Sequence, residues 1–287
     1  MGHTLKRAIF GLLTMIAGAA LPGLAAAAQP EPWELNLQPA ATPVAEKMHD
    51  FHDLLLVIII AITVLVAALL VYVMFRFRAA ANPNPSRTSH NTLIEVLWTV
   101  APIMILVVIA IPSFRLLYYS DKAADAEMTV NVKGYQWYWA YSYPDSGDFE
   151  VESRIAARTE EEATDGKIRL LSTDNPMVVP VDTTVRVIVT SDNVIHSWAV
   201  PAFGVQKYAN PGHANESWFK VEKTGTYYGM CQQICGSDHG FMPIEVKVVT
   251  KEEYAAWVKE QQAQAGILPE NNETAVAAAS PAVTAAN

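Results

Sequence analysis

Cysteine is almost absent from this chain. Only Cys231 and Cys235 occur among its 287 residues, so at most one internal disulfide can form. No Cys-x-x-Cys-His is present, which excludes a fused c-type haem. Positive charge is also scarce. The net charge of −9 argues against nucleic acid as a partner and favours a basic one. Internal repeats are lacking. Charge of either sign is missing from a long central run, so the 51% hydrophobic composition conceals membrane segments.

The N-terminus reads as a secretory signal over residues 1–28. Lys6 and Arg7 form a charged start, an apolar stretch follows to about Leu21, and Ala25 to Ala28 offers an Ala-x-Ala cleavage site. Read as a third span, the stretch is short and broken by Gly18, Pro22 and Gly23. Residues 29–120 then hold a membrane hairpin. Leu54 to Phe75 carries no charge, and at about 1.5 Å per residue it spans roughly 33 Å, enough for a bilayer core. A second span covers about 96–118. Its Pro102 and Pro112 are tolerable in a membrane helix, and Trp98 and Tyr118 suit the two interfaces. The loop between the spans carries Arg76, Arg78 and Arg87 and no acid, which places it in the cytoplasm. The mature N-terminus and the large C-terminal part then lie outside. Glu95 sits at the cytoplasmic mouth of the second span. It is either an ordinary interfacial acid or a point of proton uptake, since ionisable groups at membrane boundaries mark pathways.

From about Glu127 the pattern changes to period two. MTVNVKG, TTVRVIVT, ESWFKVEKTG and IEVKVV alternate apolar and polar residues between turn signals, which predicts an all-β sandwich over 121–250. Arg158 to Gly166 reads as a solvated acidic loop. Within 251–287, KEEYAAWVKEQQAQA predicts a short amphipathic helix, and the tail from about Pro269 has a disordered composition.

The chemistry concentrates in GMCQQICGSDHGFMP, with the spacing Cys231-x3-Cys235-x3-His239-x2-Met242. Gly236, Gly240 and Pro243 argue against a helix, so a loop between two strands is expected. A Cys231–Cys235 disulfide is the plain reading, since thiols outside the cytoplasm are normally oxidised. The alternative is a soft-metal site. Two thiolates, an imidazole and a thioether select copper over calcium or magnesium, and zinc rarely uses methionine. VIHSWAVP supplies a second imidazole, His196. A mononuclear blue-copper site needs one thiolate fewer. Two cysteines can instead bridge two coppers, with His196 and Met242 on one and His239 on the other, completed by a carbonyl of the Cys231–Cys235 loop. GYQWYWAYSYPD reads as an aromatic strand, mostly packing, in which one exposed ring near the copper is a candidate point for electrons to enter.

In GYQWYW, VIHSWAVPAFGV, Pro211-Gly212, ESWF, C-x3-C-G-x2-H-x-F-M-P and the preceding hairpin, the chain resembles subunit II of the bacterial aa3-type haem–copper cytochrome c oxidases. The resemblance covers about Pro43 to Trp257. It implies a two-helix transmembrane hairpin joined to a cupredoxin-like Greek-key sandwich in the periplasm of a bacterium, anchored in the inner membrane lipid. It implies the binuclear copper centre CuA, held by His196, Cys231, Cys235, His239, Met242 and the carbonyl of Gln233. Trp137 matches the aromatic that accepts electrons from cytochrome c, and Glu95 matches the acid near one proton pathway into subunit I. Subunits I and III and cytochrome c are the implied partners, with oxygen reduction and proton pumping in subunit I. Asp145, Asp174 and Asp192 are the acids left for docking cytochrome c, where Ser142 and Asn193 replace others.

Two departures stand out. Gln233 replaces the family's glutamate, so magnesium at the subunit I interface loses a charged ligand. Gln206, Tyr208 and His213 replace the usual Lys, Asp and Arg around Pro211-Gly212. Other readings of the same residues are a quinol oxidase subunit II, disfavoured by the intact ligand set; a nitrous-oxide-reductase-like CuA protein, disfavoured by the hairpin; and a membrane-anchored copper-chaperone or structural domain.

Overall fold

A computed structural model of the chain describes residues 28–121 and 125–267. The signal-like segment and the tail from about Pro269 therefore lie outside the described residues, except for Ala28. Among the described residues two helices come first, α1 (Pro43–Arg76) and α2 (Thr92–Asp121). Both are long and apolar enough to cross a membrane, and their large aliphatic side chains are exposed rather than cored.

The first helix starts well before the apolar run that marks it. Thr42 caps it, its hydroxyl accepting from the Ala45 amide at 3.1 Å and donating to the Phe203 carbonyl at 2.7 Å. Pro43 suits the first turn, where its missing N–H is no loss. Val44 and Ala45 are buried, so the opening of α1 is part of the extramembrane core. At the other end of the hairpin, Trp218 Nε1 donates to the Tyr119 carbonyl at 3.1 Å, tying α2 to the sandwich.

Ten strands follow: β1 (Met128–Tyr135), β2 (Tyr138–Tyr143), β3 (Phe149–Ser153), β4 (Met177–Pro180), β5 (Thr184–Ser191), β6 (His196–Val200), β7 (Val205–Ala209), β8 (Asn215–Lys220), β9 (Gly225–Cys231) and β10 (Pro243–Val249). They form two five-stranded sheets, in the orders β3-β2-β1-β5-β8 and β4-β10-β9-β6-β7. β1 runs parallel to β5 and β4 parallel to β10; the remaining pairs are antiparallel. The predicted alternation is seen in β5, where Val185, Val187 and Val189 are fully buried and the residues between them are not. β6 breaks it. All five of its residues are buried, because one face meets the core while Ala199 shares a cavity wall with Ala45 and Met48 of α1.

The aromatic stretch is a hairpin rather than one strand. Tyr135 pairs with Tyr138, which leaves Gln136 and Trp137 in the turn at the site end of the sandwich. Helix α3 (Lys251–Gln264) opens with a capping box between Thr250 and Glu253. It lays Trp257 edge-on against Tyr143 and Phe149, with ring centroids 5.1 and 5.5 Å away.

Candidate metal centre

The site forms where β6, β9 and β10 converge. His196 opens β6, Cys231 closes β9, and Met242 immediately precedes β10. The intervening residues make a loop, as their glycines predict, ending in a single 3-10 turn over His239–Phe241. The Gln232 amide donates to the Ser197 carbonyl at 3.1 Å, so the loop leaves β9 already pinned to β6.

Five donor side chains meet there. The two sulfurs lie 3.9 Å apart and both thiols are free. That is nearly twice a disulfide bond, and it is close to the roughly 3.8 Å that separates two thiolates sharing one tetrahedral metal at about 2.3 Å each. The disulfide reading is thus not what the structure holds. Cys231 Sγ is 3.9 Å from His196 Nδ1 and 3.3 Å from the Gln233 carbonyl oxygen. Cys235 Sγ is 3.6 Å from His239 Nδ1 and 3.5 Å from Met242 Sδ.

The electrostatics ask for a cation. Burial pushes the Cys235 thiol up to about 12, reinforced by its Cys231 neighbour. Burial, with the charge of His239, lowers His196 to about 4. A neutral imidazole with a free lone pair toward two thiols is what a soft metal requires, and the metal's charge is what makes two adjacent thiolates tolerable. The donor set therefore fits copper.

A second layer of contacts holds the donors. Gln136 Nε2 and Trp137 Nε1 donate to the Cys235 carbonyl at 3.0 and 3.2 Å. Trp139 Nε1 donates to the Met242 carbonyl at 3.3 Å. Arg158 reaches Asp238 at 3.3 Å, bracing the loop from outside. Sequence reasoning missed Gly134 and Gly236. A Cβ on Gly134 would stand 2.9 Å from His196 Cδ2, and one on Gly236 (φ +125°) would stand 2.8 Å from Trp137 Cζ2. Both glycines were visible in motifs of the chain, but what they approach is set by tertiary structure.

The remaining candidates are scattered. Asp192 lies at the Trp137 end of the domain but is paired with Lys133 at 2.8 Å, and this bond holds the lysine charged. Asp174 accepts from the Arg154 amide at 2.7 Å; Arg154 in turn stacks 3.5 Å over the Tyr138 ring. Asp145 lies elsewhere. It accepts from the Thr129 amide at 2.7 Å, and Thr129 begins β1 while the Trp137 turn follows its end. At about 3.3 Å per residue the strand separates the two by well over 15 Å. Asp145 is thus tied into the end of the sandwich that carries α3 and is not brought together with Trp137. Glu95 lies in the first turn of α2, where it accepts from the Asn91 amide at 3.3 Å.

The model of the cytochrome c oxidase subunit II periplasmic domain matches residues 128–249, and that of the transmembrane domain of the same subunit matches residues 30–116. The chain belongs to the cytochrome c oxidase subunit II family. A probable cytochrome c oxidase subunit 2 of Rickettsia bellii is 45% identical over 247 residues, which is 86% of this chain and 91% of the relative. The cytochrome c oxidase subunit 2 of Cereibacter sphaeroides is 41% identical, covering 89% of each. The crystal structure of the periplasmic domain of subunit II of cytochrome oxidase of Bradyrhizobium japonicum is 47% identical, covering 50% of this chain and 99% of that one with a TM-score of 0.46. This member of the subunit II family therefore joins two membrane-spanning helices to a periplasmic cupredoxin-like sandwich, and its family serves cytochrome c oxidase, an oxidoreductase.

Proposed function

We propose that this chain is the electron-accepting subunit of a bacterial cytochrome c oxidase. It takes electrons from cytochrome c at a binuclear CuA centre and passes them to haem in subunit I, where oxygen reduction is coupled to proton pumping. The observation that carries this reading is the convergence of two buried free thiols, two imidazoles and a thioether on one point. Cys231 and Cys235 would bridge the metals, His196 and Met242 would hold one, and His239 with the Gln233 carbonyl the other. Two coppers sharing one electron change their bonds little on reduction, which favours transfer over bond-making.

The chain's own residues do the rest. β6 and β9 fix His196 and Cys231 on paired strands, so the donors move little. Trp137 is half-buried, reaches the surface, and donates a hydrogen bond to the carbonyl of Cys235. It would receive the electron, with Asp174 and Asp192 near the approach of a basic cytochrome c. The pairing of Asp192 with Lys133 offsets part of its pull. Glu95 would feed protons toward subunit I from the cytoplasmic side. Subunits I and III are the membrane partners, and Gln233 makes the magnesium site between this chain and subunit I weak.

Stopped-flow oxidation of reduced cytochrome c by the assembled oxidase tests the reading. Trp137→Phe, which loses the indole N–H, is expected to slow electron uptake while total copper stays at the wild-type level. Wild-type uptake by Trp137→Phe and also by Trp137→Ala would remove Trp137 from the path.

A further inference from the structure

A cavity of about 460 Å³ opens between α1 and α2 near their periplasmic ends. Lys47, Asp50 and Arg115 line its outer part, and Leu54, Pro112 and Leu116 its inner part. Lys47 Nζ lies 4.9 Å over the Tyr119 ring, which closes one side. Among the described residues, none of the three charged groups has an ion-pair partner.

The position in the bilayer is fixed by the helices. Leu54 begins the uncharged run of α1, and Arg115 follows directly on the uncharged stretch Val96–Phe114 of α2. Lys47 and Asp50 precede Leu54 by about 10 and 6 Å along the axis. The headgroup layer adds about 5–8 Å outside the hydrocarbon core. Asp50 and Arg115 are therefore at headgroup level, the exposed Lys47 side chain reaches down to it from its outer edge, and the apolar part of the cavity is at the start of the acyl chains.

We propose that this cavity is a phospholipid site for a phosphatidylethanolamine-type headgroup. The phosphodiester is held between Lys47 and Arg115, the ammonium faces Asp50, and one acyl chain descends past Leu54 and Pro112. Two cations with one acid match a phosphate–ammonium pair better than an anionic glycerol headgroup, which leaves Asp50 facing a negative charge. Nothing in this assignment depends on copper.

Native mass spectrometry of the assembled oxidase, stripped of lipid and titrated with phosphatidylethanolamine, phosphatidylglycerol or inorganic phosphate, tests it. A basic side chain at a membrane surface is worth about five-fold in lipid affinity. Lys47→Gln/Arg115→Gln is thus expected to bind one phosphatidylethanolamine fewer per complex, about 25-fold more weakly at that site. Asp50→Asn is expected to narrow the preference for phosphatidylethanolamine over phosphatidylglycerol. An unchanged haem absorbance reports that the double variant assembles. Should it not, Lys47→Gln alone, with its exposed side chain, carries the same test at about five-fold. Equal lipid counts in wild type and variant, or filling of the site by inorganic phosphate in place of lipid, overturn the proposal.

Discussion

Gly134 is one of two places where the metal site is tightly packed. Its missing side chain is the space that the His196 ring occupies, with a would-be Cβ only 2.9 Å from Cδ2. Gly134→Ala is expected to turn that ring and lower copper affinity about ten-fold or more, as loss of supporting contacts does at other metal sites. Copper retention under a chelator measures it. In the proposed centre Gln233 would contribute through its backbone carbonyl, so Gln233→Glu should leave the copper unaltered and strengthen magnesium or manganese binding in the assembled oxidase. Unchanged occupancy in a metal titration would count against this. Residue by residue, the convergence of donors was legible because Cys231, Cys235, His239 and Met242 belong to one loop whose spacing is itself a pattern. Gly134 was not, since its neighbour His196 is distant in sequence. Asp145 shows the same limit: its charge is visible in the chain, but its bond to Thr129 is not.

Elements were read best where one face is wet. The alternation of β1, β5, β8 and β10 follows from a sandwich whose outer faces meet solvent. β6 has no wet face and hence no alternation, and the hairpin turn at Gln136-Trp137 lies inside a continuous aromatic run that hides it. The start of α1 was obscured because hydropathy marks where lipid begins, not where the helix does. Thr42 marks that point. Its hydroxyl makes two buried bonds, so Thr42→Ala is expected to cost about 1–2 kcal/mol, seen as a lowered Tm of the extramembrane domain. Glu245 on β10 is the reverse case. Burial raises its carboxyl above the ordinary 4.5, against the opposing bonds from Thr173. A raised carboxyl contributes stability below its unfolded pKa and loses it as pH rises through the folded one. Glu245→Gln should therefore raise Tm at pH 7 and change it little below pH 4.5. An equal effect at both pH values would show that charge is not the cause.

At the scale of the whole molecule, the contacts that join the hairpin to the sandwich include Thr42–Phe203, Tyr119–Trp218 and the Asp121–Lys207 ion pair. These fix the Cys231–Cys235 loop relative to the hairpin, with the half-buried Trp137 beside it. In the proposed function the chemistry of oxygen would belong to subunit I, and this chain's part would be to receive and position charge. The measurement that tests this most directly is electron paramagnetic resonance, with copper counting, on the full chain in detergent after thiol reduction and copper loading. Two coppers per chain, and a hyperfine pattern from one electron shared equally between them, are the expected result. A single-copper pattern at one metal per chain, or a Cys231–Cys235 disulfide with no copper bound, would contradict the account.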